Sequence, residues 1–316
     1  MHGTTSSIRS AGRIPGAQVA AAELEPAWRP WVRLLDVALD SAGDAEWLRA
    51  VPDIPMAGSL GAPLLHGATL TVDARRARKL VRELLREADE VHAQPTEHGD
   101  APARASKESP PNGTSRSPRR RLDALEILRG AITQDMDSIA RAAVHAGVDA
   151  HRLAAVAQLA VIPLLHACAM RHRDRIAEDW LHGYCPVCGA WPTLAEIRGL
   201  ERNRRLRCGR CSTDWPIPVL RCPFCNELHH DKLHALLPEG DEQIRRVDVC
   251  ETCKGYLKGF STLQPLSLRG IALADLTTVE LDIVAQERGY ERSSKAAYPL
   301  SVRVVRATAP AVGRPS

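Results

Sequence analysis

Aromatic residues are scarce in this chain: 6 Trp, 4 Tyr and 2 Phe among 316 residues. A membrane-length apolar run is absent as well. The longest, Leu159 to Met170, spans about a dozen residues, includes Pro163 and His166, and falls short of the roughly 20 that a spanning helix needs. The first thirty residues mix Arg9, Arg13 and Glu23 with alanines, and they hold neither a compact apolar stretch nor an Arg-Arg pair before one. Secretory and twin-arginine signals are therefore not expected, and the chain is expected to stay in the cytoplasm without membrane insertion. Charge of one sign is also lacking. A formal +4 is too small a bias to imply nucleic acid or lipid as a partner. No G-x-G-x-x-G, P-loop, H-E-x-x-H or G-x-S-x-G occurs, so no catalytic residue is proposed and the chain reads as a non-enzyme.

What the chain has is cysteine in pairs. Eight of its nine cysteines form four C-x-x-C units: Cys185 with Cys188, Cys208 with Cys211, Cys222 with Cys225, and Cys250 with Cys253. In a reducing compartment such thiols are more often metal ligands than disulfides. Two thiolates on one tetrahedral ion lie roughly 3.8 Å apart when metal–sulfur bonds are near 2.3 Å, and a C-x-x-C turn delivers that spacing. The first two pairs are separated by 19 residues and the last two by 24. Sequential pairing therefore fits the C-x-x-C-x(15–20)-C-x-x-C template, the second span being long by one hairpin loop near Pro238–Gln243. Interleaved pairing is the alternative. Four sulfur ligands close a site, which argues for a structural role and against hydrolysis. They suit zinc or iron equally, so two metal ions, iron or zinc, are expected, and iron would bring a redox role. The ninth cysteine, Cys168, lies in the apolar run and reads as core.

The rest of the chain divides by texture. Residues 1–26 show no period and are expected to be disordered. Residues 27–180 read as a helical domain. Trp31, Leu34, Leu35, Ala38 and Leu39 recur at helical spacing before Gly43. Ala77, Leu80, Val81, Leu84, Leu85 and Ala88 form a second stripe, on a helix whose other face is charged from Arg75 to Glu90. Leu125, Leu128, Ile132, Met136 and Ile139 form a third, and 149–172 a fourth helix kinked at Pro163. The proline-rich segment 93–120 reads as a flexible insertion, and Arg119, Arg120 and Arg121 as a solvated helix start.

From Tyr184 onward short β-type runs alternate with cysteine pairs, at Thr193–Ile197, Arg204–Arg207, Trp215–Leu220, His234–Leu237 and Ile244–Val249. These define one four-cysteine ribbon at 181–217 and a second at 218–263. A helical segment follows at 264–292, with a capping box from Thr277 to Glu280 and a stop at Gly289, and then a tail at 293–316. The fold class is α+β: an N-terminal helical bundle, two tandem metal ribbons and a C-terminal helix. Tyr184, Trp191, Trp215, Phe224, Tyr256 and Phe260 read as small cores beneath the knuckles, the alternative being a stacking platform for nucleic acid. Arg202, Arg204, Arg205 and Arg207 would support that platform, though a solvated hairpin is the plainer reading. His229 and His230 read as loop.

The order Cys185-Pro-Val-Cys188-Gly, Arg207-Cys208-Gly-Arg-Cys211 with Trp215 behind it, Arg221-Cys222-Pro-Phe-Cys225-Asn226, Cys250-Glu-Thr-Cys253-Lys-Gly-Tyr256-Leu-Lys258, Asp275 to Asp282, and Gly289-Tyr290-Glu-Arg292 resembles the formate dehydrogenase accessory protein FdhE family. The resemblance is strong over 181–292 and weaker over the helical region. It implies a non-catalytic maturation factor that associates with the catalytic subunit of formate dehydrogenase, with rubredoxin-like cysteine sites linked to iron and no nucleic-acid partner. Tyr256, Lys258, Asp275 and Asp282 match the family pattern without a role attached.

Overall fold

A computed structural model describes residues 26–54, 61–93, 122–240 and 244–308. The expected disordered start, the bulk of the 93–120 insertion with its arginine cluster, and the end of the tail lie outside these. Six helices build the first part: α1 (Arg29–Ala42), α2 (Ala74–Ala93), α3 (Ala124–Thr133), α4 (Met136–Ala146), α5 (Ala150–Ala160) and α6 (Ile162–His172). Each buries the stripe its sequence carries. Leu34 and Ala38 of α1, Ala77, Leu80, Val81 and Leu84 of α2, and Leu153, Val156 and Ala157 of α5 share one core. Trp31 departs from the expectation, being 43% exposed while Val32 takes the buried place.

Two stripes that read as single helices are broken. Between α3 and α4, Gln134 adopts a left-handed φ of 59°, and the Asp135 side chain accepts the Ser138 amide to start the next helix. Met136 is consequently 39% exposed instead of core. Between α5 and α6 the chain breaks at Val161, because Pro163 sits in the first turn of α6, where its missing N–H costs no helix bond. Cys168 is fully buried there, and burial pushes its thiol up to about 12. The continuous stretch Ala150–Arg175 is long and apolar enough to cross a membrane by length and composition, yet 67% of its apolar window is buried inside the molecule. It forms the centre of the helical core.

The β elements depart from two independent ribbons. Strands β2 (Leu194–Arg198), β3 (Asn203–Arg207) and β4 (Asp214–Pro216) come from the first cysteine module; β5 (Leu233–Leu236), β6 (Arg245–Cys250) and β7 (Tyr256–Thr262) come from the second. They form one six-stranded sheet in the order β4-β3-β2-β7-β6-β5. The modules join through β2 and β7, which run parallel with Leu194 opposite Lys258 and Arg198 opposite Thr262. All other neighbours are antiparallel. The expected run Trp215–Leu220 yields only the short β4, because Pro216 and Pro218 cannot donate to a ladder.

The C-terminal segment holds two helices, α7 (Leu268–Leu276), started by Ser267 accepting the Gly270 amide, and α8 (Val279–Glu287). The capping box at Thr277 and Glu280 does not form: Thr277 Oγ1 donates back to the Leu273 carbonyl at 2.8 Å and Glu280 pairs with Arg245 at 3.3 Å. Nor is the described part of 293–316 a tail. A strand β8 (Arg303–Arg306) pairs in parallel with β1 (Thr69–Val72), and Leu300 and Val302 are buried in the helical core.

Candidate metal centres

The four C-x-x-C units share one local geometry. The first cysteine's amide donates to the carbonyl five residues on: Cys185 to Ala190 at 2.8 Å, Cys208 to Thr213 at 3.0 Å, Cys222 to Glu227 at 2.9 Å and Cys250 to Gly255 at 3.0 Å. The residue after the second cysteine must then turn left-handed, and Gly189, Ser212, Asn226 and Lys254 do so at φ 67°, 65°, 63° and 55°. Glycine and asparagine take this conformation easily; serine and lysine hold it at a cost.

The sulfurs gather in chain order. In the first group Cys185 Sγ is 3.5 Å from Cys211 Sγ, and Cys188 Sγ is 3.6 Å from Cys208 and 3.9 Å from Cys211. In the second, Cys222 is 3.7 Å from Cys253 and Cys225 is 3.7 Å from Cys250. All four ligand atoms within each group lie within 4.8 Å of one another. These separations match the roughly 3.8 Å edge of a tetrahedron of sulfurs about one ion.

The electrostatics of the two groups bear on what could hold the sulfurs together. Burial pushes the thiols of Cys185 and Cys211 far up, while hydrogen bonds from the surrounding sulfurs pull Cys188 far down. At the second group burial raises Cys222, and Cys253 to about 11; at Cys250 burial is outweighed by the amides of Cys253 and Thr252, which hold it low. Four sulfurs this close cannot all be thiolate without a central positive charge. The donor sets therefore fit a tetrahedral divalent or trivalent ion, zinc or iron.

The two sites differ sharply in burial. All four cysteines of the first are 0% exposed and belong to the main core, together with Trp215 and Leu206. Its second knuckle is tied to α6 by His166, whose Nδ1 lies 2.8 Å from Ser212 Oγ; burial lowers this imidazole's pKa. Its first knuckle receives the amides of Leu64 and Leu65 on the carbonyls of Pro186 and Val187. At the second site Cys222 and Cys250 are buried, but Cys225 and Cys253 are exposed. There Glu227 ties one knuckle to the other, accepting from the Thr252 hydroxyl at 2.6 Å and from the amides of His229 and Leu228; these bonds hold its carboxyl down at about 2.

The sites touch through backbone. A Cβ on Gly183 would lie 1.6 Å from the Pro223 carbonyl oxygen, so only glycine allows the first knuckle's approach to the second. Trp191 and Phe224 meet edge-to-face across the same junction at 5.3 Å. Trp215, Tyr256 and Phe260 are buried at 0%, 1% and 2%, as core residues rather than a stacking platform. The arginines of β3 are not a solvated row either. Arg204 and Arg207 are buried, Arg204 pairing with Asp248 at 2.8 Å, while Arg198, Arg205 and Arg207 converge on Glu196 and Asp214. His229 and His230 stand exposed before β5.

Beside the second site lies a polar group whose members were visible in sequence but whose assembly was not. Lys258, 0% exposed on β7, reaches Asp275 Oδ1 at 2.8 Å and Asp282 Oδ2 at 2.7 Å, and donates to the Asp275 carbonyl at 2.8 Å. The Tyr256 hydroxyl donates to Asp282 at 2.8 Å, and Arg292 closes the outer side on both carboxylates. This network fastens α7 and α8 to the sheet.

The FdhE, C-terminal domain sequence profile matches residues 220–298. A protein FdhE homolog of Aquifex aeolicus is 34% identical over 119 residues, covering 36% of this chain and 40% of that protein. Protein FdhE of Escherichia coli O127:H6 is 31% identical over 113 residues, covering 35% of this chain and 36% of that protein. The chain is similar to FdhE proteins over about a third of its length. It spans about two fifths of the length of these curated FdhE relatives. The crystal structure of the FdhE protein from Pseudomonas aeruginosa superposes with a TM-score of 0.47 at 20% identity, over 88% of this chain and 90% of that one, too loosely to carry detail. The FdhE profile takes in the whole second site and the Lys258 network; it leaves the first site and the helices outside.

Proposed function

We propose that this chain is a non-catalytic accessory factor for the maturation of formate dehydrogenase, acting in the cytoplasm by binding the enzyme's catalytic subunit. The FdhE profile match over 220–298 carries the reading, because it covers the second cysteine site and every member of the Lys258 network. In this reading Cys185, Cys188, Cys208 and Cys211 ligate one metal ion and Cys222, Cys225, Cys250 and Cys253 a second. Both ions hold small β elements that could not fold on apolar burial alone. The helices at 27–180 and the unified sheet supply a large surface for a folding client. The test is co-purification: tagged chain, co-expressed anaerobically with a formate dehydrogenase catalytic subunit, should retain that subunit, and its absence from the eluate ends the proposal.

The exposed sulfurs of Cys225 and Cys253 favour a second reading, a rubredoxin-like redox role for the second site. It requires iron in protein made anaerobically and a reversible one-electron couple; zinc at both sites would dismiss it.

A further inference from the structure

The charged face of α2 is not balanced within the chain. Arg75, Arg78, Lys79, Arg82, Glu83 and Arg86 wall a shallow groove along its outer side. Lys79 takes the one carboxylate, Glu83, at 3.8 Å. Arg75, Arg78, Arg82 and Arg86 have no acidic side chain against them among the described residues, whereas their neighbour Arg76 pairs with Asp44 and Glu46. Five cations and one carboxylate leave +4 in this groove, as much as the formal charge of the whole chain, so the rest of the molecule is balanced overall.

The arrangement opposes helix stability twice. Arg75, Arg78, Arg82 and Arg86 follow each other at i+3 or i+4, where like charges repel. Arg75 also stands in the first turn of α2, which has no acidic residue beyond the Asp73 that accepts its amide, so its charge meets the positive end of the helix dipole. Neither cost is needed for burial, since the opposite face, with Ala77, Leu80, Val81 and Leu84, makes the core contacts. An external anion would relieve both.

We infer that this arginine stripe is a docking surface for an acidic helix of a partner protein. The eleven steps from Arg75 to Arg86 span about 16 Å at 1.5 Å per residue, so carboxylates on successive turns of a partner helix can meet successive arginines. Arginine, not lysine, fills four of the five positions, and its planar fork engages a carboxylate bidentately. A nucleic-acid surface would be expected to add aromatic side chains for stacking, and none lines this groove. The inference is independent of the formate dehydrogenase reading, because α2 lies outside the FdhE-matched residues 220–298.

The experiment uses the metal-loaded full chain and a fluorescent helical peptide about 15 residues long, matched to the stripe, with glutamate at every fourth position. Single-stranded DNA of equal charge is the competing probe. Binding of the peptide is expected at low salt and should weaken as salt rises. The double variant R78E/R82E should lose roughly a hundredfold in affinity, about tenfold per charge-assisted contact. Its melting temperature should hold or rise, since the substitutions relieve like-charge pairs. A face that is only solvated would show the same melting behaviour with no peptide binding, which overturns the inference. Peptide binding unchanged in R78E/R82E, or DNA bound more tightly than the peptide through the same arginines, overturns it equally.

Discussion

The unequal burial of the two cysteine sites predicts that they lose metal at very different rates. At the second site Cys225 and Cys253 face solvent, so a chelator can reach the ion with the fold intact. At the first, every sulfur is 0% exposed, and a chelator must wait for the surrounding core to open. Opening far enough to bare Val187 and Leu206, both 0% exposed, costs about 4 kcal/mol at ~1.5–3 kcal/mol for each buried aliphatic side chain. That corresponds to roughly a thousandfold slower release. Metal-loaded protein mixed with excess chelator should therefore release one equivalent quickly and the second about a thousand times more slowly. The variant C253S should abolish the fast phase and leave the slow one, while adding denaturant should accelerate only the slow phase. Release of both equivalents at one rate, or a fast phase that survives C253S, would refute the reasoning from burial.

Lys258→Met leaves the carboxylates of Asp275 and Asp282 short of a partner inside the protein, and should destabilise it by about 3–5 kcal/mol in urea unfolding; a loss under ~1 kcal/mol, the range of surface pairs, would show the network to be dispensable. Asp275 is drawn the opposite way by its surroundings: burial raises its pKa, but Arg292 and Lys258 lower it further, so its folded value lies below the usual carboxylate range. Its contribution is accordingly present above the unfolded value near ~3.9 and lost as pH falls through the folded value, and D275N should flatten the loss of stability below about pH 4. Acid unfolding curves of the two proteins that run parallel there would contradict this. Gly183→Ala pushes a methyl into the Pro223 carbonyl and should lower the melting temperature while speeding metal loss from the otherwise slow first site; an unchanged melt and release rate would mean that the knuckles do not bear on each other.

The readable parts of this molecule were those set by local chemistry. Ligand spacing favoured the sequential cysteine grouping over the interleaved one, because a C-x-x-C turn is a short-range object. The buried faces of α1, α2 and α5 follow from helical periodicity. What stayed hidden is pairing across distance. Tyr256–Thr262 has no alternating pattern, since residues from Tyr256 to Phe260 are buried on both faces, and so β7 and its union with β2 left no period to detect. Arg204 and Arg207 looked like solvent-facing charge because their carboxylate partners Asp248, Glu196 and Asp214 sit on other strands or turns. The break at Gln134 was masked by an apolar stripe that continues through it, whereas Pro163 marked the interruption between α5 and α6.

The pairing of β1 with β8 has a temporal consequence. The partners Thr69 and Arg303 are 234 residues apart, with both cysteine sites between them. As the chain emerges from the ribosome, the helical core keeps an open edge and lacks Leu300 and Val302 until β8 has been made. All eight cysteines have been made by then. Closure of the helical domain therefore follows synthesis of the whole segment that carries the two cysteine sites.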